Sequence, residues 1–346
     1  MRLADRPLAL ASADLPGCGG AWREPEDFYV EEVPAYLPSG EGEHAFLWVE
    51  KRGVATLELV KQLSRALGIP GSEVGYAGMK DKHAVTKQWL SVPAKVEDEL
   101  KRLELAGVAI LEVKRHANKL KTGHLRGNRF VITLRGVEEQ AEARALAVID
   151  RLNERGLPNY FGTQRFGVEG DNAQRARAVL RKEQRAPRDR RRWRLLLSAL
   201  QSQLFNEWVA RRIEADRWSR LLGGEVMLRA GHSNPFVCED PATDQSRLLA
   251  REVVLAGPLY GPRMPWAAPP ALADDQAVLA EAGLSIEDFA GQGRLARGGR
   301  RAAAVFPEQL TVETVADDPS ALRLGFTLPP GSYATVLLAE VSKATV

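Results

Sequence analysis

The sequence predicts an α+β fold, because strand-like and helix-like segments follow each other without the regular βαβ rhythm of a doubly wound sheet. The 346 residues include 45% hydrophobic and 27% charged residues. This composition is typical of globular proteins and excludes disordered and fibrous chains. At about 150 residues per domain, the length predicts two domains.

Side-chain periodicity predicts the individual elements. The stretch Phe46–Lys51 alternates between two faces and indicates a strand, with Lys51 on the same face as Leu47 and Val49. Apolar residues at helical spacing predict a helix over 56–67, which Gly68 ends. The further predictions, in chain order, are strands at 88–92 and within 127–136, helices over 137–155, 173–182, 195–213 and 285–290, and strands over 322–328 and 333–341.

A change in composition and residue pattern after residue 156 predicts the domain organisation. A loop rich in glycine and aromatic residues begins there, and the C-terminal segment returns to strand-like patterns. We therefore predict a discontinuous first domain, about 1–155 plus 304–346, with a second domain inserted between its two parts.

Cysteine, histidine and apolar patterns exclude several classes of protein. Cys18 and Cys238 cannot form a disulfide framework, and we expect two reduced thiols. The five histidines lack HxxxH and HExxH spacing, so we expect no metal. The apolar stretch Leu8–Ala11 is shorter than a signal-peptide core, and no run of about 18 apolar residues occurs. We expect a soluble cytoplasmic protein without membrane contact.

Basic residues are concentrated in three segments, although the whole chain has a formal charge of only +3. Residues 101–135 contain nine lysines and arginines against two acidic residues (+7), and residues 175–194 contain ten against two (+8). The third segment consists of Arg294, Arg297, Arg300 and Arg301. This segregation indicates a phosphate-backbone partner, with Tyr160 and Trp193 among the nearby rings that could stack on bases. Solvated helix faces are the alternative interpretation.

The segment Gly75–Val92, with the sequence GYAGMKDKHAVTKQWLSV, concentrates glycines near a single acid, Asp81, between Lys80 and Lys82. Glycine permits tight turns and close backbone approach. Flanking cations keep a carboxylate deprotonated, which a nucleophile or general base requires. From spacing alone, a surface turn with a solvated charged triplet is the alternative.

This segment resembles the signature of the TruD-type tRNA pseudouridine synthases, in which the acid of the G-x-K-D-x-x-A-x-T-x-Q pattern is the nucleophile. Other stretches resemble that family's blocks, in its order and over nearly the whole chain: PEDFYVEE (25–32), GNRF (127–130), PNYFGTQRFG (158–167), SQLFNEWVARR (202–212) and FTLPPGSYAT (326–335). The resemblance implies a pseudouridine-synthase-type catalytic domain formed by 1–156 and 302–346, with an α/β TRUD domain inserted over 157–301.

The implied reaction is the isomerisation of uridine 13 in certain tRNAs to pseudouridine, and it needs no cofactor. The C1′–N1 bond breaks, the base turns and a C1′–C5 bond forms, after the uridine has left its stack. By resemblance Asp81 is the nucleophile, and attack at C1′ or at C6 both stay open. The implied substrate-binding residues are Phe28, Asn128, Phe130 and Phe326. Without the resemblance, the phenylalanines would be interpreted as core residues of strands.

Two positions depart from the usual pattern. Phe130 stands where most pseudouridine synthases have a tyrosine, so no hydroxyl base is available there. The family tends to carry a basic residue shortly before PEDF, and Arg23 is the nearest one here. Lys80, by contrast, matches the motif, and we expect it either to support the catalytic site or to contact a phosphate of the RNA. Expected contacts to the RNA backbone come from Lys119, Lys121, Arg126, Arg190, Arg191 and Arg192.

The partner expected from these observations is tRNA, and the family suggests a monomer. Two alternative hypotheses remain. The chain could be a non-catalytic RNA-binding protein or RNA chaperone with the same fold, or a small-molecule enzyme that uses Asp81.

Overall fold

The computed structural model describes residues 8–344, which form two compact units. The sheet unit comprises residues 17–146, 307–334 and 341–344, and the mixed unit comprises residues 8–16, 147–306 and 335–340. The order of strands and helices confirms the predicted α+β class.

The strands and helices have the following bounds. The strands are β1 (Gly19–Ala21), β2 (Phe28–Pro34), β3 (His44–Arg52), β4 (Gly75–Tyr76), β5 (Val85–Pro93), β6 (Val108–His116), β7 (Leu125–Val137), β8 (Leu157–Pro158), β9 (Val226–Arg229), β10 (Pro235–Val237), β11 (Val253–Leu259), β12 (Gly299–Ala302), β13 (Ala304–Val305), β14 (Glu308–Val315) and β15 (Asp318–Leu328). The helices are α1 (Thr56–Ala66), α2 (Glu97–Leu100), α3 (Ala141–Arg155), α4 (Asn172–Leu180), α5 (Arg190–Glu214), α6 (Pro241–Leu249), α7 (Leu272–Glu281), α8 (Ile286–Ala290) and α9 (Ala334–Ser342).

The sheet unit is built on a sheet that, within residues 8–344, has nine strands. Seven run in the order β14-β15-β7-β2-β5-β3-β6, while β1 pairs with β7 and β4 with β5. The strands β2 and β5 are parallel, and the other neighbouring pairs are antiparallel. Helix α1 buries its apolar stripe against β3 and β5, with Leu59 and Leu63 packed on Leu47 and Leu90. This packing fixes the face from which the site residues project.

The mixed unit contains a four-stranded sheet in the order β10-β9-β11-β12, and β8 pairs with β13. The long helix α5 packs against β11 and is buried along most of its length. The predicted boundaries at 156/157 and 301/302 stay a prediction. Among the described helices, none is both long and apolar enough to cross a membrane.

Most strongly periodic segments form the predicted elements. The alternating stretch Phe46–Lys51 lies within β3, and the helix predicted over 56–67 is α1, with Gly68 at a φ of 62° just beyond it. The strand predicted over 333–341 is wrong, because this segment forms helix α9. An apolar run without alternation suits a buried strand or a buried helix equally well. Here Leu337, Leu338 and Val341 are fully buried at helical spacing.

Candidate active site

Pairing registers in the sheet unit bring the predicted base-binding residues to one face. Directly paired residues of neighbouring strands share a face. Phe130 pairs with Phe326 on β15 and with Val30 on β2, so Phe28 and Asn128 share that face by alternation. The four substrate-binding residues that the resemblance implied therefore project from the same side of three neighbouring strands.

The three phenylalanines form a continuous aromatic layer. The rings of Phe130 and Phe326 are stacked with centroids 5.2 Å apart, and Phe28 meets Phe130 edge-on at 6.2 Å. Phe326 is 1% exposed, whereas Phe28 and Phe130 are 6% and 7% exposed. Phe326 therefore packs against one face of the Phe130 ring, and the small accessible part of the layer belongs to Phe28 and Phe130.

Asn128 carries the unsatisfied polar group of this face. Its Oδ1 is buried and has no hydrogen-bond partner among residues 8–344. A buried amide oxygen without a partner costs about 1–3 kcal/mol. Its strand neighbour on β2 is Glu32, which shares the same face. The site therefore offers one unoccupied acceptor beside the aromatic layer.

The loop that carries Asp81 lies over this face and is held by side chains of the sheet and of α1. The ammonium of Lys51 donates to the carbonyl oxygen of Asp81 at 2.8 Å, and the backbone N–H of Lys80 donates to Thr56 Oγ1 at 2.8 Å. Gln88 Nε2 donates to the carbonyl of Gly78 at 3.3 Å. The side chain of Asp81 itself is exposed. The backbone on both sides of the acid is thus fixed, while its carboxylate faces solvent.

A buried ion pair adds a further anchor to this loop. The ammonium of Lys80 lies 2.9 Å from Glu32 Oε2, and both side chains are almost fully buried. Glu32 Oε1 also accepts from the backbone N–H of Trp89 at 3.3 Å. Burial raises the pKa of Glu32, and the attraction of Lys80 opposes that rise. Of the two expected roles for Lys80, support of the site fits this geometry, whereas a phosphate contact would break the pair.

Arg23 lies at a different end of the sheet from this loop. Its backbone N–H donates to Asp27, and its guanidinium lies close to Gly136 at the end of β7. Within the described part of the chain, Arg23 has no ion pair with Asp81. The structure therefore does not bring these two predicted residues together.

The turn between β6 and β7 places basic side chains next to the loop of Asp81. The backbone N–H of Gly123 donates to the carbonyl of Ala77 at 2.8 Å, and a Cβ at Gly75 would collide with the carbonyl of Leu120. Lys121 and Arg126 are exposed on this turn. Lys119 is half-buried and donates to the carbonyl of Ser72.

Folding neutralises much of the first basic segment, 101–135. Arg135 pairs with the buried Asp27 at 2.8 Å, Arg115 pairs with Glu97, and Lys101 pairs with Asp98. These acids lie outside the segment in sequence, so the net charge of the linear segment overstates the charge that the folded surface presents.

In the second basic segment, the arginines at the start of α5 remain exposed. Arg190, Arg191 and Arg192 form the first turn of α5, which contains no acidic residue, and all three are exposed. Asp189 caps the helix by accepting from the backbone N–H of Arg191 at 2.8 Å. Cations at a helix N-terminus are opposed by the helix dipole. Three arginines there do not stabilise the helix and instead form a site suited to anions.

Only part of the third basic segment can have the predicted role in binding the RNA backbone. Arg300 is buried and paired with Asp275, and the guanidinium of Arg301 lies 4.1 Å from the ring centroid of Phe161. Tyr160 and Trp193 are also buried, with 1% and 6% exposure. Arg300 and the two rings are therefore buried in the mixed unit, and their expected contacts with RNA are wrong, whereas Arg301 is only half-buried.

Sequence reasoning missed the side chains that hold the loop of Asp81, namely Glu32, Lys51, Thr56 and Gln88. The signal was present for Lys51, because strand alternation puts it on the same face as Leu47 and Val49. A charged residue on an apolar face requires a buried polar partner. Among residues 8–344, no group of three or more metal-ligating side chains occurs.

Comparisons with known proteins agree with this arrangement. The family model described as tRNA pseudouridine synthase D (TruD) matches residues 8–187 and 188–341. A protein named tRNA pseudouridine synthase D from Anaeromyxobacter sp. (strain Fw109-5) is 47% identical over 99% of this chain and 97% of its own length. Its namesake from Thermus thermophilus is 46% identical over 99% and 95%.

A solved structure described as tRNA pseudouridine synthase D from Methanosarcina mazei has a similar fold. It superposes with a TM-score of 0.78 and covers 99% of this chain and 97% of that chain, at 24% sequence identity. At this identity, the likeness concerns the fold alone.

Proposed function

The chain belongs to the TruD family of tRNA pseudouridine synthases, and from that premise we propose that it converts uridine 13 of tRNA to pseudouridine with Asp81 as the nucleophile. Membership of this family makes the chain an isomerase. The observation that carries the finer proposal is the exposed carboxylate of Asp81 on a loop whose backbone is fixed by buried polar side chains. A nucleophile needs both features, because it must reach substrate and must not move during attack.

The reaction begins with extrusion of the uridine from its stack, which costs a few kcal/mol. Asp81 attacks the nucleotide at C1′ or at C6, the C1′–N1 bond breaks, and the base turns. The C1′–C5 bond then forms, the bond to Asp81 breaks and frees the carboxylate, C5 loses its proton and N1 gains one. Atoms and electrons balance without an external reactant, in accordance with the expectation that no cofactor is needed.

The aromatic layer and Asn128 are suited to hold the extruded base. Stacking on a ring contributes about 1–3 kcal/mol per base, and Phe130 is kept in place for this by its stacked neighbour Phe326. The buried Oδ1 of Asn128 can accept from the N3–H of uracil, which would satisfy its unpaired acceptor. Cytosine has no hydrogen on N3 and could not form this bond.

The catalytic domain, in this proposal, comprises residues 1–156 and 302–346, with the TRUD domain inserted over 157–301. The sheet unit supports it, since β14 and β15 from near the C-terminus pair into the sheet that also contains β2 and β7. The exposed arginines at the start of α5, with Lys121 and Arg126, are the proposed contacts for the tRNA backbone. A monomer in the cytoplasm remains our expectation.

The decisive experiment replaces the carboxylate with its isosteric amide. Wild type, Asp81→Asn and the exposed control Asp98→Asn are incubated with uridine-labelled tRNA, and pseudouridine is mapped by chemical modification and primer extension. We expect product from wild type and the control, and a loss of at least 1000-fold in rate for Asp81→Asn with tRNA affinity unchanged. Product from Asp81→Asn at the wild-type rate would overturn the nucleophile assignment.

A second substrate tests the position of the uridine and the alternative function. A tRNA with cytidine at position 13 should give no pseudouridine, and product elsewhere in that tRNA would overturn the choice of uridine 13. A non-catalytic RNA chaperone predicts no product from any tRNA and equal RNA-folding activity of wild type and Asp81→Asn.

A further inference from the structure

Lys51 is a buried cation that helps to hold the loop of Asp81 but has no assigned part in the reaction steps. It is 1% exposed, lies on β3, and faces the side of the sheet that α1 covers. Its ammonium donates to the carbonyl of Asp81 at 2.8 Å and is 3.5 Å from the carbonyl of Lys80. Among residues 8–344 it has no carboxylate within ion-pair distance.

This arrangement is a poor way to stabilise a fold. A buried ammonium loses its hydration, and two carbonyl oxygens compensate for that loss less well than a carboxylate does. The pKa of Lys51 reflects the cost, because burial lowers it to about 8. A methionine of similar length would fill the same space beside Val49 without that penalty. Stability therefore does not account for a lysine at this position.

We propose that Lys51 is a positioning residue for Asp81: its protonated ammonium fixes the Asp81 peptide through the carbonyl contact and places a positive charge beside the acid. The inference rests on the proposed role of Asp81 as nucleophile. It explains why the cation contacts the backbone of the acid rather than its side chain, since the carboxylate must stay free to attack.

The charged groups around Lys51 set the expected pH dependence. The charge of Asp81 favours the protonated form of Lys51, whereas Lys80, which is itself paired with Glu32, disfavours the protonated form of Lys51. From β5 the facing residue is Thr86, and from β6 the partner is Val108, neither of which titrates. Lys87 and Glu50 pair with each other on the opposite face. The rate of chemistry should therefore fall as the pH rises through about 8 and Lys51 loses its proton.

The test compares Lys51→Met and Lys51→Arg with wild type and with Lys61→Met, a control at an exposed lysine of α1. Single-turnover rates are measured with tRNA and excess enzyme between pH 6.5 and 9.5, and tRNA affinity is measured separately. We expect Lys51→Met to lower the rate at least 30-fold at pH 7.5 with affinity changed less than twofold. Lys51→Arg should recover part of the rate and lose the decline above pH 8, because its guanidinium stays protonated.

The stability of the same proteins separates positioning from a structural role. The folded-state pKa of Lys51 lies below its ordinary value of 10.5, so between about pH 8 and 10.5 the unfolded chain binds more protons. The free energy of unfolding of wild type should therefore rise with pH in this range relative to Lys51→Met. A relative fall would mean that the ammonium stabilises the fold and would overturn the proposal.

Two further outcomes decide between the proposals. A Lys51→Met rate within threefold of the Lys61→Met rate overturns the role of Lys51 and leaves Asp81 untouched, provided that Asp81→Asn is inactive. Full activity of Asp81→Asn overturns the proposed nucleophile first. If Lys51→Met does not fold, the pH profile of Lys51→Arg decides, and a profile identical to that of wild type counts against the proposal.

Discussion

The loop of Asp81 and the first turn of α5 both present charged side chains to solvent, but they are held in opposite ways. Around Asp81, the backbone is fixed by the buried Lys51 and by the buried pair of Lys80 with Glu32. At the start of α5, Arg190–Arg192 are exposed, and a local cap at Asp189 holds the turn. The first arrangement depends on residues distant in sequence, and the second on neighbours.

The difference matches two different tasks. A reacting group must be placed within a fraction of an ångström, which requires a rigid and partly buried support. Charges that attract a phosphate backbone act over about 8 Å in physiological salt and tolerate mobility. We therefore expect substitutions near Asp81 to act on the rate and the fold, and substitutions in α5 to act on affinity and its salt dependence.

After Asp81→Asn, the largest effect on stability and activity is expected from Glu32→Ala. This substitution leaves the ammonium of Lys80 buried without a partner. Breaking a buried ion pair in this way costs about 3–5 kcal/mol. Urea unfolding should show the loss, and the activity should fall because the loop of Asp81 loses an anchor. Asp98→Ala, which breaks the exposed pair with Lys101, is the matched control and should leave the urea midpoint unchanged. Equal midpoints for both variants would show that burial does not distinguish the two pairs.

A smaller effect is expected from Asn128→Ala, and it should be limited to the reaction rate and the preference for uridine over other bases. Its buried Oδ1 has no partner in the folded chain, so its removal should leave the melting temperature unchanged or slightly higher. With uridine in place, the lost hydrogen bond should lower the single-turnover rate about 10- to 100-fold. A drop in melting temperature with an unchanged rate would make Asn128 a structural residue instead.

The smallest effect on the rate, and the clearest one on affinity, is expected from replacing Arg190, Arg191 and Arg192 together by Ala. Each phosphate contact contributes about 0.7–0.9 to the slope of log affinity against log salt. The triple variant should therefore bind tRNA at least tenfold more weakly with a slope shallower by about 2, while the rate on bound tRNA stays at the wild-type value.

A control with the same change in charge replaces three exposed arginines outside the basic segments, Arg65, Arg229 and Arg263. We expect it to keep the wild-type salt slope. If the two triple variants behave alike, the position of the charge at the end of α5 does not matter and only the net charge does.

The net charge of a linear segment was a poor predictor of the charge that the folded surface presents. Segments 101–135 and 175–194 have similar net charges in sequence, yet Asp27, Glu97 and Asp98 reach the first one in the folded chain. In the second, the first turn of α5 keeps its arginines exposed. Counting charges within a segment misses such neutralisation, because Glu97 and Asp98 lie just outside the segment and Asp27 is far from Arg135 along the chain.

The sequence by itself determined the α+β class, the strands and helices with strong periodicity, the family signature around Asp81, and the basic start of α5. Each of these depends on local order: alternation, helical spacing or contiguous motifs. The sequence did not determine that 334–342 is helical, because a continuously apolar segment can bury itself in either conformation.

Tertiary structure alone decided which side chains meet. The strand registers bring Phe28, Asn128, Phe130 and Phe326 to one face, although nearly 300 residues separate the first from the last. They also decide that Lys80 pairs with Glu32 and that Lys51 reaches the backbone of Asp81. Desolvation is the physical reason: once the sheet and α1 exclude water, each buried charge must find a partner within hydrogen-bond distance, and only the folded chain supplies it.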